Sequence, residues 1–185
     1  MISESILQGE KVRLRPVEEH DLPHFVRWLA DPEMSRWLER LGKPPTLEDE
    51  YEWWHEKRSD PDNVLWAIDT LDGQLVGTTE LRLTLRAERA ELGVAIHDKT
   101  QWGKGLGTDA VRLVVDYAFE ELGLNRVELT TDEQNARAIR CYEKVGFSRE
   151  GLLRQHRLLD GEFGNTVVMS ILKDEWEPLG RGDDD

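Results

Sequence analysis

Apolar and polar side chains alternate along the chain with two periods, and the places where the period changes mark its elements. Lys11-Val12-Arg13-Leu14-Arg15 alternates basic and apolar residues until Pro16, which predicts a half-buried strand. From Asp21 to Ala30, Leu22, Phe25, Val26 and Leu29 fall at helical spacing, and Asp31-Pro32 stops that helix because a residue before proline is driven out of the α region. A short helix is expected over Glu33–Arg40. After Gly42-Lys43-Pro44-Pro45, Thr46 is a suitable N-cap for a helix to Arg58. Val64–Asp69 and Gln74–Leu83 read as strands joined by a turn at Asp72-Gly73, and Glu88–His97 as a third, with Leu92, Val94 and Ile96 alternating. Gly105–Leu122 is a strong helix, carrying Ala110, Leu113, Val114, Tyr117 and Ala118 on one face and Gly123 at its end. Arg126–Thr131 predicts a strand, Ala136–Lys144 a helix ending at Gly146, and Phe147 the start of another strand. Residues 158–163 mark a hairpin and Val167–Leu172 the last strand. This order gives an α+β fold: a mixed, mostly antiparallel central sheet flanked by helices, built around one crossover. A single domain is expected over residues 1–176, followed by a flexible acidic tail over 177–185.

Composition changes the picture mainly through charge. Lys plus Arg number 24 and Asp plus Glu 38, a net charge of −14. That field repels nucleic acid and anionic lipid and favours cationic partners, although acidity also serves solubility alone. The single cysteine, Cys141, excludes an internal disulfide framework and fits a reducing compartment. Met1–Glu10 lacks the basic start and apolar run of a secretory signal, and no stretch has the roughly 20 apolar residues of a membrane span. A cytoplasmic protein is expected. His20 and His24 stand four apart with Pro23 between them and no third ligand, so no metal is expected.

The most informative segment is Gln101-Trp102-Gly103-Lys104-Gly105-Leu106-Gly107-Thr108, between a strand and the long helix. Glycines allow positive φ and close backbone approach, so successive N–H groups can converge on one oxyanion, and the helix start adds unpaired N–H groups and a positive dipole end. This is a cradle for a diphosphate, with Lys104 as an extra cation. It is neither a Walker loop, lacking Gly-Lys-Ser/Thr at the required spacing, nor a dinucleotide GxGxxG, since position 110 is Ala. A purely structural turn stays open on this segment alone.

A second segment follows one strand later: Asn135-Ala136-Arg137-Ala138-Ile139-Arg140-Cys141-Tyr142-Glu143-Lys144-Val145-Gly146-Phe147. With both motifs in this order, the chain resembles the GCN5-related N-acetyltransferases, whose glycine loop contacts the coenzyme A pyrophosphate and whose Asn-x-x-Ala/Ser…Tyr-x-Lys-x-Gly-Phe segment comes next. The resemblance covers Val12–Trp176. Where the family often places Arg or Gln, three residues before Gly105, this chain has Trp102, with Gln101 just before it.

The resemblance implies acetyl-CoA as co-substrate, held by Trp102, Gly103, Lys104, Gly105, Leu106, Gly107 and Thr108, by the backbone of Val94 and Ile96, and by Asn135, Ala138, Tyr142 and Lys144. It places Tyr142 beside the thioester sulfur, where an O–H can protonate the departing thiolate; a buried aromatic anchor is the alternative. Asn135 would bond the pantetheine arm, and is equally a good N-cap for Ala136 onward. The Val94–Ile96 strand would pair with the pantetheine amides as another strand would. A substrate amine with an ordinary pKa of about 10 must lose a proton before attack. Glu91 and Glu80, on adjacent strands, are the candidate bases, with solvated strand carboxylates as the alternative. Cys141 and Tyr142 are adjacent on a helix and point apart, so Cys141 reads as small packing.

On the acceptor side the resemblance directs attention to the first three helices, which carry Trp28, Trp37, Trp53 and Trp54. Trp37 with the carboxylates Glu33 and Glu39 would suit a cation. Val12–Pro16, Arg89-Ala90-Glu91 and Gly161–Thr166 are similar both to spermidine N-acetyltransferases and to ribosomal-protein alanine N-acetyltransferases. The implied activity is direct acetyl transfer to a primary amine, of a polyamine-like small cation or of a protein N-terminus. An acyl-CoA-binding sensor or pseudoenzyme, and nucleotide binding through the glycine loop, remain alternatives. The sequence leaves the acceptor, the acyl length and a homo-oligomeric state open.

Overall fold

A computed structural model of the chain describes residues 5–37, 43–159 and 161–177. Its strands are β1 (Leu7–Gln8), β2 (Val12–Pro16), β3 (Asn63–Thr70), β4 (Leu75–Thr84), β5 (Arg89–Ile96), β6 (Arg126–Asp132), β7 (Ser148–Leu159) and β8 (Glu162–Leu172). The helices are α1 (Leu22–Leu29), α2 (Pro32–Trp37), α3 (Leu47–Ser59), α4 (Leu106–Asp116) and α5 (Ala136–Val145). Among the described residues the strands form one sheet in the order β1-β2-β3-β4-β5-β6-β8-β7. Neighbours are antiparallel except β5 and β6, which run parallel and therefore need the α4 crossover between them. The expected mixed sheet around one crossover is the fold observed. No helix among the described residues is long and apolar enough to cross a membrane.

β3 is buried from Asn63 to Asp69, which its continuous Val-Leu-Trp-Ala-Ile run dictates: both faces of a central strand are covered. On one face, α4, the turn that continues it and α5 pack Ala110, Val114, Phe119 and Ile139 against Leu14, Trp66 and Leu92. On the other, Leu22, Phe25 and Leu29 of α1 meet Trp54 of α3 over Leu65 and Ala67. Thr46 caps α3 as its sequence predicts, its Oγ1 accepting from Asp49 N–H while the Asp49 carboxylate accepts from Thr46 N–H.

Two elements depart from the sequence pattern. The helix expected to run evenly to Leu122 widens into a π turn over Tyr117–Glu121, with Leu122 N–H reaching Tyr117 C=O. Tyr117, Ala118 and Phe119 of this turn are all buried, and the Tyr117 ring stands edge-on to Trp66 at 5.3 Å. The last strand also begins at Glu162 instead of Val167, because Glu162–Asn165, polar and glycine-bearing in sequence, are held by pairing with the long β7. Arg40 at the expected end of α2 and the acidic tail beyond Glu177 lie outside the described residues.

Candidate active site

The parallel pairing of β5 with β6 covers only Arg89↔Arg126, Ala90↔Val127 and Glu91↔Glu128, although both strands continue, so a wedge opens between them. Peptide groups alternate sides along a strand. Glu88 C=O accepts from Asn125 and Arg126 N–H on the β6 side, and His97 N–H donates to Val76 C=O on the β4 side. In that phase Val94 and Ile96 turn their peptide groups toward the wedge. The Ile96 carbonyl accepts from Trp102 Nε1–H at 2.7 Å, and the Arg137 guanidinium lies 3.4 Å over the Trp102 ring. Trp102 and Arg137 thus form a stacked pair at the wedge mouth, and burial lowers the Arg137 pKa, against the pull of Glu33.

The glycine loop closes this end. Gly103 and Gly105 take φ of +78° and +84°, the region that favours glycine, and Gly105 is the N-cap of α4. Asp109 N–H makes the first helical bond, to Gly105 C=O, while among the described residues the amides of Gly105, Leu106, Gly107 and Thr108 have no protein acceptor. Gly107 faces Ile96 and Cys141: a Cβ there would stand 3.6 Å from Ile96 Cγ1 and 3.9 Å from Cys141 Sγ. Four free amides at a helix start beside an unpaired strand edge fit a diphosphate joined to an amide-bearing arm.

α5 forms the far wall. Asn135 is its N-cap, Oδ1 accepting from Ala138 N–H at 3.2 Å, and Gly146 at φ +110° ends it. Ala138 and Tyr142 share a helix face one turn apart. Tyr142 is 7% exposed against Phe147, burial raises its pKa, and among the described residues its hydroxyl makes no hydrogen bond. Cys141 is partly buried, its Sγ 3.4 Å from Thr108 Oγ1, and burial raises its pKa too. Lys144 is exposed at the end of α5.

On the opposite sheet face a cavity of about 310 Å³ lies under Gly93, Val94 and Ala95, so β5 is a wall common to it and to the wedge. Phe25, Leu29, Trp53, Leu65, Thr78, Thr79 and His97 line it, with the carboxylates Glu50 and Glu80 and the ammonium of Lys57. Glu50 is 2% exposed. The Glu80 side chain lies over Gly93, where a Cβ would stand 3.2 Å from Glu80 Cγ, and its Oε2 accepts from Lys57 Nζ at 2.9 Å and Asn63 Nδ2 at 3.3 Å. His97 stacks on Trp28 at 5.1 Å and meets Thr78 Oγ1 through Nε2 at 3.1 Å.

The structure therefore brings Glu80 to the cavity. Glu91 sits outside it, paired with Arg82 Nη2 at 2.7 Å. Glu33 and Trp37 are on α2, away from the cavity lining: Glu33 accepts from Lys99 Nζ, and Trp37 lies under the Arg36 guanidinium. Glu39 lies outside the described residues. Sequence reasoning missed Glu50, Lys57, Thr78 and His97. Glu50 sits in Glu48-Asp49-Glu50-Tyr51-Glu52, which reads as a solvated face, and only packing distinguishes it.

Residues 11–148, well over half of the chain, match the family model described as an acetyltransferase (GNAT) domain. The chain is 40% identical over 108 residues to the probable N-acetyltransferase YjcK of Bacillus subtilis, spanning 57% of this chain and 59% of that relative. It is 31% identical over 170 residues to the spermidine N(1)-acetyltransferase of Escherichia coli, covering 91% of this chain and 89% of the relative. Its fold superposes with a TM-score of 0.81, at 22% identity and covering 89% of this chain and 96% of the other, on a Vibrio cholerae spermidine N-acetyltransferase solved with CoA and spermine. An unzipped parallel strand pair, a helix start with free amides and a family model spanning both lead to one conclusion: the chain belongs to the GCN5-related N-acetyltransferase family and is an acetyl-CoA-dependent acyltransferase.

Proposed function

We propose that the chain acetylates a primary amine of a small polycationic molecule, taken up in the cavity beneath β5. The observation that carries this reading is the cavity itself, which sets two carboxylates among aromatic rings directly under Gly93–Ala95. Carboxylates and aromatic faces stabilise an ammonium group, and a volume of about 310 Å³ is that of a small-molecule site. A relative with spermidine in its name supports the choice of cation.

Acetyl-CoA supplies the acetyl group as a thioester. In this reading the amides of Gly105–Thr108 hold its diphosphate, the Val94 and Ile96 peptide edge and Ala138 align its arm, and Tyr142 Oη donates a proton to the sulfur as the C–S bond breaks. Glu80 takes the proton released by the acceptor ammonium, directly or through water; Glu91, paired with Arg82 outside the cavity, is left aside. The amine nitrogen forms the new bond to the acetyl carbon as the C–S bond breaks, and the second proton that nitrogen sheds restores the Tyr142 phenol, so no acetyl-cysteine is required.

The test is coenzyme A thiol release against a panel of polyamines, aminoglycosides, amino acids and peptide N-termini. Polyamines are expected to give the highest kcat/KM, and Glu80→Gln is expected to raise the polyamine KM by about tenfold or more, the worth of one charge-assisted contact, with acetyl-CoA KM unchanged. Release with peptide N-termini alone would contradict the small-cation reading. An unchanged polyamine kcat/KM in Glu80→Gln would remove Glu80 from the site.

A further inference from the structure

We propose that Lys11, just before β2, is a cofactor-binding residue whose ammonium meets the diphosphate of the coenzyme A carrier at the glycine loop. The proposal rests on the cofactor seat described above and extends it to a residue 93 positions before Lys104.

Lys11 Nζ donates to the Lys104 carbonyl at 3.1 Å. A Cβ placed on Gly105 would stand 2.9 Å from that Nζ and 3.7 and 3.8 Å from Cδ and Cε, so the lysine stem lies flat along the glycine. One ammonium proton goes to Lys104 C=O, and two remain for an anion at the amides of Gly105–Thr108. The position is fixed by the backbone and not by the side chain alone. Asp109, buried in the first turn of α4, accepts from Lys11 N–H at 2.8 Å and from Val12 N–H at 3.0 Å through the same oxygen. Gly9 permits this approach, since a Cβ there would come within 2.4 Å of Asp109 Oδ2. The start of β2 is thereby pinned to the helix turn that ends the loop.

Charge makes the placement consequential. The chain carries −14 overall, and an anionic carrier entering that field needs local cations. Lys104, the cation that the loop sequence offers, turns its Nζ to Gln101 Oε1 at 2.9 Å. Lys11 is the ammonium that lies on the loop glycine.

The test is titration calorimetry of coenzyme A and of dephospho-coenzyme A, which retains the diphosphate but lacks the ribose phosphate, at low and high salt. Lys11→Met keeps the apolar stem and removes the charge; it is expected to weaken both ligands by roughly tenfold at low salt, with the gap narrowing at high salt. Lys11→Arg is expected to stay within about threefold of the natural protein, since it keeps the charge. Unchanged affinity in Lys11→Met overturns the assignment. So does an equal, salt-independent loss in Met and Arg variants, which would mean a deformed loop, or a loss confined to coenzyme A, which would move the contact to the ribose phosphate. Failure of the natural protein to bind coenzyme A would instead bring down the cofactor seat itself.

Discussion

Tyr142→Phe is expected to lower kcat by about 10²-fold or more while leaving coenzyme A affinity within about twofold, the usual scale for losing a positioned proton donor. The substitution removes one oxygen and keeps the ring that packs on Phe147, so α5 should hold its place against the sheet. The hydroxyl has no protein partner among the described residues, so its loss orphans no buried group. Burial raises the Tyr142 pKa above its ordinary value of about 10, which keeps the phenol protonated and able to donate across the working pH range. Turnover of the natural protein should accordingly show no alkaline decline from tyrosinate formation below pH about 10. Steady-state kinetics with calorimetry on the same samples separate the two quantities. An unchanged kcat would show Tyr142 to be the aromatic anchor and nothing more.

Gly107→Leu is expected to weaken coenzyme A binding by about tenfold to a hundredfold, with Gly107→Ala close to neutral. Gly107 presents its bare face between Ile96 of β5 and Cys141 of α5, at distances of 3.6 and 3.9 Å from a notional Cβ. One methyl meets only ordinary van der Waals contact there, and alanine in place of a helical glycine adds about 0.5–1 kcal/mol of stability. The further carbons of leucine must enter the wedge where the carrier's arm is to lie, and forcing extra carbons into a packed site costs about 1–3 kcal/mol. Thermal melts of the free variants should stay near the natural protein, with the difference appearing in the coenzyme A titration. Equal affinity for all three proteins would place the carrier elsewhere.

What the sequence revealed was local. Thr46 and Asp49, three apart, announce the start of α3, and Asp72-Gly73 announces the β3–β4 turn, because each signal lies inside the element it shapes. The glycine loop was legible for the same reason: Gly103, Gly105 and the helix after them are contiguous. Asn135 as N-cap of α5 follows from one residue and the next three. The hidden parts depend on partners far away in the chain. Nothing in Val167–Leu172 says that β8 slides between β6 and β7, and nothing around Tyr117 says that the helix widens there. The cavity beneath β5 assembles Glu50 and Lys57 of α3 with Thr78 and Glu80 of β4 and His97 after β5, side chains that share no sequence pattern. Glu33 and Trp37, chosen for charge and aromatic character, meet Lys99 and the Arg36 guanidinium, contacts that residue type alone does not announce.

The central claim is that free amides at the start of α4 and the open edge of β5 together seat a coenzyme A thioester. Thermal unfolding with acetyl-CoA, ATP and NAD compares the alternatives in a single experiment. Acetyl-CoA at about 100 times its dissociation constant is expected to add about 2.7 kcal/mol and raise the midpoint, with ATP and NAD leaving it nearly unmoved. A midpoint indifferent to acetyl-CoA, or raised as much by ATP, would contradict that claim.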